Sequence, residues 1–199
     1  MVAIRGRRRG RVSSGSARDG GWPPELKFLL DRHPRSSWPN ELSPQAAFWL
    51  EVHAHLRRDC AALEAAGDDH RAGRTSAAQF AVIATARLRG LVAAMHGHHQ
   101  IEDFQYFPAF RRDEPRLNSG FERLEAEHAE LARAVAAAEG ALAELRAAAE
   151  RAGDSVSSAP AMAAERFTAV ARDLCARLRS HLADEEDLVV PLLIERRER

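Results

Sequence analysis

Apolar residues recur at helical spacing along four long segments of the chain. In one of them Leu124, Leu131 and Val135 fall on a single stripe, with polar residues between them. The alternating β-branched pattern of strands is missing, and alanine is frequent throughout. Four long amphipathic helices joined by short polar loops predict an all-α protein, built as an up-down four-helix bundle.

The ends of these helices can be read from capping residues and prolines. Ser43 before Pro44 has the pattern of an N-cap followed by proline at the first helical position. Thr75 or Ser76 can cap the second helix, and Pro108 is expected to end or kink it. The four predicted helices span about 44–66, 76–107, 119–151 and 160–196.

The N-terminal part of the chain differs in composition from the predicted bundle. Residues 1–21 hold six arginines and one aspartate, with much serine and glycine, and predict a disordered Arg-rich tail. Residues 22–43 contain four prolines and two tryptophans, which favour an extended Pro-rich lead-in. The predicted organisation is therefore a tail, an irregular N-terminal extension over 22–43, and a bundle over 44–197.

Composition narrows the cellular setting. The chain has 199 residues, 45% of them hydrophobic, which suffices for one well-packed domain. Its only cysteines, Cys60 and Cys175, are too few for a disulfide framework, so we expect a reducing, cytoplasmic location. The sequence has no run of about 18 apolar residues, which is the length that would indicate a membrane span. One lysine among 29 basic residues suggests a GC-rich, bacterial gene.

A short motif occurs twice, as HHQIEDFQYFP at residues 98–108 and as HLADEEDLVVP at residues 181–191. His98 and Glu102 are four residues apart, as are His181 and Glu185. On a helix this spacing puts both side chains of a pair on one face, one turn apart. In both copies an acid follows the glutamate and a proline lies six residues after it: Asp103 and Glu186, Pro108 and Pro191.

The first and third helices also match each other. His53 stands in LEVHAHLRR and His128 in EAEHAELAR, and the apolar residues around each place it on the inward stripe. The chain therefore reads as two copies of a helix pair. Each copy contributes one lone histidine and one His-x-x-x-Glu pair to the interior.

Four imidazoles and two carboxylates in a bundle interior are costly unless something binds them. A metal ion is the expected partner. Imidazole with carboxylate suits iron, manganese or zinc, and a set without thiolate argues against structural zinc. Two carboxylates can bridge two ions about 3.5–4 Å apart. We therefore predict a dinuclear site, with iron favoured and manganese or zinc as alternatives.

The order His53, His98-x-x-x-Glu102, His128, His181-x-x-x-Glu185 resembles the hemerythrin-like, HHE cation-binding family over about residues 43–196. The resemblance implies a non-haem di-iron centre in a four-helix bundle, bridged by carboxylates and an oxo or hydroxo group. It further implies four terminal histidine ligands and two bridging glutamates: His53, His98, His128 and His181, with Glu102 and Glu185.

One departure and several extra residues bear on this expectation. Oxygen-carrying hemerythrins have a further histidine where this chain has Ala132, which argues against reversible oxygen transport. His99 stands where relatives can place an acid and is a candidate seventh ligand. Tyr106, one turn after Glu102, can contact a bound ligand or the metals. Asp103 and Glu186 are candidates for holding ligand imidazoles in place.

The expected function is to bind, sense or react with O2, peroxide or nitric oxide, or to respond to iron. Catalase-like peroxide disproportionation is the enzymatic form of this prediction. We expect a small diatomic or peroxide as partner, and neither membrane nor nucleic acid; a protein partner is unknown. The alternative is a helical interaction or regulatory module, with a structural metal or none, whose basic tail binds a partner or nucleic acid.

Overall fold

The structure is a computed structural model that describes residues 21–152 and 158–197. Within these two ranges all regular structure is helical. Four long helices carry most of it, with shorter helices before the first and after the second. The α-helices are α1 Phe28–Arg32, α2 Trp38–Glu41, α3 Pro44–Arg71, α4 Ala77–Ile101, α5 Phe107–Asp113, α6 Asn118–Ala152 and α7 Ala159–Arg197.

The long helices enclose one apolar interior. Helix α3 packs against α4 and α7, and α6 packs against the same two helices, so each long helix has two long neighbours. One end of the interior is filled mainly by leucine, alanine and Phe80. The other end is more aromatic, with Trp49, Phe107, Phe110 and Phe121. The prediction of an all-α bundle is confirmed, and the strict up-down order stays a prediction.

The predicted N-caps are present at the starts of the first two long helices. The Ser43 side chain accepts a hydrogen bond from the Ala46 amide, and Ser76 forms a reciprocal capping box with Gln79. Helix α3 continues to Arg71, beyond the predicted end. Gly67, just after the predicted end near residue 66, lies inside the helix and allows a close approach: a Cβ built there would lie 2.8 Å from Thr168 Cγ2 on α7.

The predicted break near Pro108 takes the form of a π-helical turn. Helix α4 ends at Ile101, Glu102–Tyr106 form the π turn, and α5 begins at Phe107. The Phe107 amide donates to the Glu102 carbonyl, five residues back. Pro108 lies in the first turn of α5 and has no amide to donate back into the π turn. The helical path nevertheless continues past residue 107, to Asp113.

Residues 22–43 are less extended than predicted. They form a 3-10 turn at Pro24–Leu26 and the short helices α1 and α2. The 3-10 turn and α2 each have a proline at a first-turn position, where proline can begin a helix. This N-terminal segment nevertheless lies over the core. Trp22 and Trp38 are buried, and the Trp22 indole donates to the Asp184 carbonyl on α7 at 2.7 Å.

The predicted disordered tail lies outside the described residues, apart from Gly21. Among the described residues one helical run, Ala77–Asp113, is long and apolar enough to cross a membrane by length and composition alone. A core helix passes the same test, and Phe80, Leu88 and Leu91 of this run are buried in the bundle. The expectation that no segment spans a membrane stays a prediction.

Candidate metal centre

The six residues predicted as metal ligands lie together inside the bundle. They come from α3, from the end of α4 and the π turn, from α6 and from α7. Glu102 and Glu185 are fully buried, His53 likewise, and the other three are nearly so. On each long helix the histidine or glutamate occupies an inward-facing position that elsewhere along the helix carries an apolar residue. The six are His53, His98, Glu102, His128, His181 and Glu185.

The four histidines form two pairs, one from each copy of the sequence repeat. Nε2 of His53 lies 3.0 Å from Nε2 of His98. Nε2 of His128 lies 3.1 Å from Nε2 of His181. Two imidazole nitrogens at this distance need a proton or a cation between them, because their lone pairs otherwise repel. Each pair therefore presents two nitrogen donors to one point.

The two glutamates lie between the histidine pairs and face both of them. Glu102 Oε1 is 2.8 Å from His98 Nε2, while its Oε2 is 3.6 Å from His128 Nε2. Glu185 Oε1 is 3.5 Å from His53 Nε2, while its Oε2 is 3.5 Å from His181 Nε2. Each carboxylate thus turns one oxygen toward each pair, which is the arrangement of a bridging ligand.

Neighbouring charges give the two buried carboxyl groups opposite pKa shifts. Burial and the nearby negative charge of Glu185 raise the pKa of Glu102 well above its usual value. Burial acts to raise the pKa of Glu185 too, but His53 and the other imidazoles outweigh it and hold this pKa well below the usual value. Without a metal ion, therefore, Glu102 holds its proton more tightly than Glu185 does.

The histidine pKa values follow the same logic. Burial lowers the pKa of His53, but Glu185 and Glu186 more than compensate and raise it to about 9. Burial lowers the pKa of His98 to about 4, so this imidazole is neutral at physiological pH. A proton on His53 thus occupies the gap to the His98 lone pair. A metal ion binding to both nitrogens has to displace that proton.

Carboxylates also hold the outer nitrogens of three of these histidines. Nδ1 of His53 lies 3.0 Å from Glu186 Oε1, and Nδ1 of His128 lies 2.9 Å from Asp103 Oδ1. Each acid therefore serves the lone histidine of the other repeat copy. An Nδ1–H donated to a carboxylate leaves Nε2 as the free donor atom, the usual arrangement around metal-bound histidine. The structure thus places Asp103 and Glu186 in the predicted supporting positions.

The third supporting carboxylate was missed by the sequence analysis. Glu127 Oε2 lies 3.1 Å from Nδ1 of His181, and Arg123 donates to Glu127 Oε1 at 3.0 Å. Glu127 stands directly before His128 and has no counterpart in the repeat. Its contact joins α6 to α7 across 54 residues of sequence, so the motif comparison contained no signal for it.

His99 is buried and lies against the second histidine pair. Its ring stacks on that of His128, with centroids 3.8 Å apart and planes 9° from parallel. Its Nε2 has no hydrogen-bond partner, and burial lowers the pKa of His99 to about 2, which leaves the imidazole neutral. Its donor nitrogen groups with those of His128 and His181, all within 4.8 Å of one another. This placement suits the predicted seventh ligand.

Two aromatic residues make the two halves of the site unequal. The Trp49 indole donates to Glu185 Oε1 at 2.6 Å; the matching residue in the second copy, Leu124, has no donor to offer Glu102. Tyr106 packs edge-on against Trp49, with ring centroids 4.9 Å apart, and lines a cavity shared with His98 and Glu102. Its role at the metals stays a prediction.

The unsatisfied atoms of the site test whether these residues fit a cation. Both Glu102 oxygens, Glu185 Oε2 and His99 Nε2 are buried and accept or donate no hydrogen bond. Two groups of ligand atoms are close enough to hold an ion, each set within 4.8 Å: His53, His98, Glu102 and Glu185 in one, His99, His128 and His181 in the other. Unpaired buried oxygens between imidazoles are costly, and a bound cation removes that cost.

Comparison with known proteins gives one match. The family profile described as Hemerythrin HHE cation binding domain matches residues 45–193, which is well over half of the chain and contains every ligand candidate. Searches of curated proteins and of solved structures found no match. The family resemblance predicted from the histidine and glutamate pattern is confirmed.

Proposed function

The chain belongs to the hemerythrin HHE cation-binding domain family, and on this premise we propose that it is a non-haem di-iron protein. The small molecules that bind to or react with its metal centre would be O2, peroxide or nitric oxide. His53 and His98 would hold one ion, and His128 and His181, joined by His99, the other. Glu102 and Glu185 would bridge the two ions.

The observation that carries this proposal is the orientation of the two buried carboxylates. Each directs one oxygen to the His53 and His98 pair and the other to the His128 and His181 pair. A single ion could use only one side of this arrangement. Two ions use every donor, and they neutralise charge that the apolar interior would otherwise leave uncompensated. The imidazole-rich ligand set with oxygen donors favours iron over calcium or magnesium.

Bound iron would supply redox chemistry and an open coordination position for a small oxidant. The chain's own residues would do the rest. Asp103, Glu127 and Glu186 fix the tautomers of three of the four histidines, so that Nε2 of His53, His128 and His181 faces inward. Trp49 holds Glu185 in its bridging orientation. The surrounding apolar core excludes bulk water, which strengthens each electrostatic interaction within the site.

A spectroscopic comparison tests this function. Iron-loaded protein, reduced without air, is expected to change its near-ultraviolet and visible absorption on addition of O2, hydrogen peroxide or nitric oxide, added separately. Evolution of O2 from hydrogen peroxide would identify the catalase-like form of the activity. Glu122→Gln changes an exposed acid on α6, away from the site, and serves as a control variant that should respond like the unmodified protein. Iron-loaded protein inert to all three reagents would contradict the proposal.

A further inference from the structure

An apolar cavity opens directly onto one half of the proposed metal centre. It has a volume of about 220 Å³ and lies between α3 and α4. Its walls are mainly apolar side chains such as Phe48, Val52 and Ile101. His98 and Glu102 form its polar end. A water molecule takes up about 30 Å³ in the liquid, so this volume exceeds what a diatomic molecule or hydrogen peroxide needs.

The polar end of this cavity is formed by His98 and Glu102, two of the proposed metal ligands. Glu102 is fully buried, and its oxygens, which form no hydrogen bond within the protein, would bind the ions. Tyr106, the one tyrosine of the chain, lines the same space. An occupant therefore meets hydrogen-bonding groups only at the inner end, and hydrocarbon elsewhere. This division suits a molecule with an apolar body and a single polar head.

The outer end of the cavity is also apolar. Phe48 is 62% exposed and Ile101 is 46% exposed, although large apolar side chains usually gain by burial. A second cavity, of about 240 Å³, shares Phe48, Val52 and Ala94 with the first, and its remaining walls along α3 include the polar Glu51, His55 and Arg58. The shared apolar residues thus extend from the protein surface toward the ligand set, and a body larger than the inner cavity can reach into the second one.

We propose that this cavity binds an organic hydroperoxide, with the organic body between Phe48, Val52 and Ile101 and the hydroperoxyl group facing His98 and Glu102. The inference rests on the proposed metal centre and names the class of peroxide that reaches it. Hydrogen peroxide has no apolar part and gains nothing from these walls. The site would therefore prefer alkyl or aryl hydroperoxides to hydrogen peroxide.

Binding can be measured without turnover by using a redox-inert alcohol. In zinc-loaded, diamagnetic protein, 2-phenyl-2-propanol is expected to shift the indole N–H NMR signal of Trp49, which lines the cavity, in a saturable way. Trp22 and Trp38 belong to the N-terminal segment and do not line the cavity, so their indole N–H signals should not shift. An unmoved Trp49 signal at millimolar alcohol would overturn the proposal.

A filling variant and its control sharpen this experiment. Ala94→Phe places a ring where the organic body would lie and is expected to weaken alcohol binding at least about tenfold. Metal content of this variant should remain that of the unmodified protein. Val82→Phe adds the same ring at an exposed position of α4, about 18 Å away along the helix, and should leave binding unchanged. Equal binding by both variants would contradict the assignment.

Loaded protein then separates the two proposals. With both irons reduced to iron(II), one equivalent of cumene hydroperoxide is expected to oxidise them to iron(III) at least about tenfold faster than hydrogen peroxide does at equal concentration. The O–O bond breaks with two electrons from the two iron(II) ions and two protons from water, and the products are 2-phenyl-2-propanol and water. If the protein binds iron but reacts with hydrogen peroxide as fast as or faster than with cumene hydroperoxide, and does not bind the alcohol, the cavity proposal alone is overturned. Failure to bind iron overturns the proposed function, and the hydroperoxide assignment with it.

Discussion

Replacing Glu185 by glutamine is expected to weaken binding of the second metal ion by more than about 100-fold. Loss of a residue that merely supports a metal ligand typically costs 10–100-fold in affinity, and Glu185 is itself placed between both histidine pairs. Glutamine keeps the volume and can still accept the Trp49 indole, but it removes the negative charge that balances two cations. Glu102→Gln is expected to behave alike.

The measurement is iron per chain after dialysis against a weak chelator. The unmodified protein and the surface control Glu122→Gln are expected to retain two ions, while each bridging variant retains one or none. Circular dichroism separates ligand loss from misfolding, because the helical signal should persist in all four proteins. A Glu185→Gln protein that retains both ions would show that this carboxylate does not bridge.

Removing both metal ions is expected to lower the free energy of unfolding by about 8 kcal/mol, about 4 kcal/mol for each ion, if free metal is about 1,000-fold above each dissociation constant. For a chain of this size that corresponds to a fall of roughly 16–32 °C in Tm. The reason is local. Without cations, both oxygens of Glu102 and Oε2 of Glu185 have no hydrogen-bond partner, and the Nε2 atoms of each histidine pair face one another at 3.0 and 3.1 Å.

Thermal unfolding with and without a strong chelator measures this effect. The Glu185→Gln variant is the matched control, because it should already unfold near the temperature of the chelated protein and respond little to the chelator. A chelator that strips the metal but leaves Tm unchanged would mean that the buried cluster is satisfied without ions. That result would favour the alternative of an interaction module over a metal protein.

The internal repeat explains why so much of this site could be predicted from sequence. Helical spacing alone defines which residues share a face, and two copies of one pattern identified His98 and His181 among nine histidines. The inward positions of the lone histidines, His53 and His128, were predicted from their apolar neighbours, and both residues are buried as expected. Local capping chemistry predicted the starts of α3 and α4 for the same reason, since caps depend on residues a few positions apart.

Contacts that depend on how helices rotate against one another could not be predicted in this way. The Glu127 contact to His181 and the Trp49 bond to Glu185 join helices far apart in sequence. The stack of His99 on His128 likewise needs the packed bundle. Proline content alone did not predict the short helical turns within residues 22–43. Proline is common in extended segments, but in the first turn of a helix it also favours the helical start.

Anomalous X-ray diffraction from crystals of the iron-loaded protein, recorded above and below the iron absorption edge, tests the central claim most directly. The account predicts two iron peaks about 3.5–4 Å apart. One should lie beside His53 and His98 and the other beside His128 and His181, with Glu102 and Glu185 contacting both. A single peak, no peak at the iron edge, or signal at the zinc edge alone would contradict it.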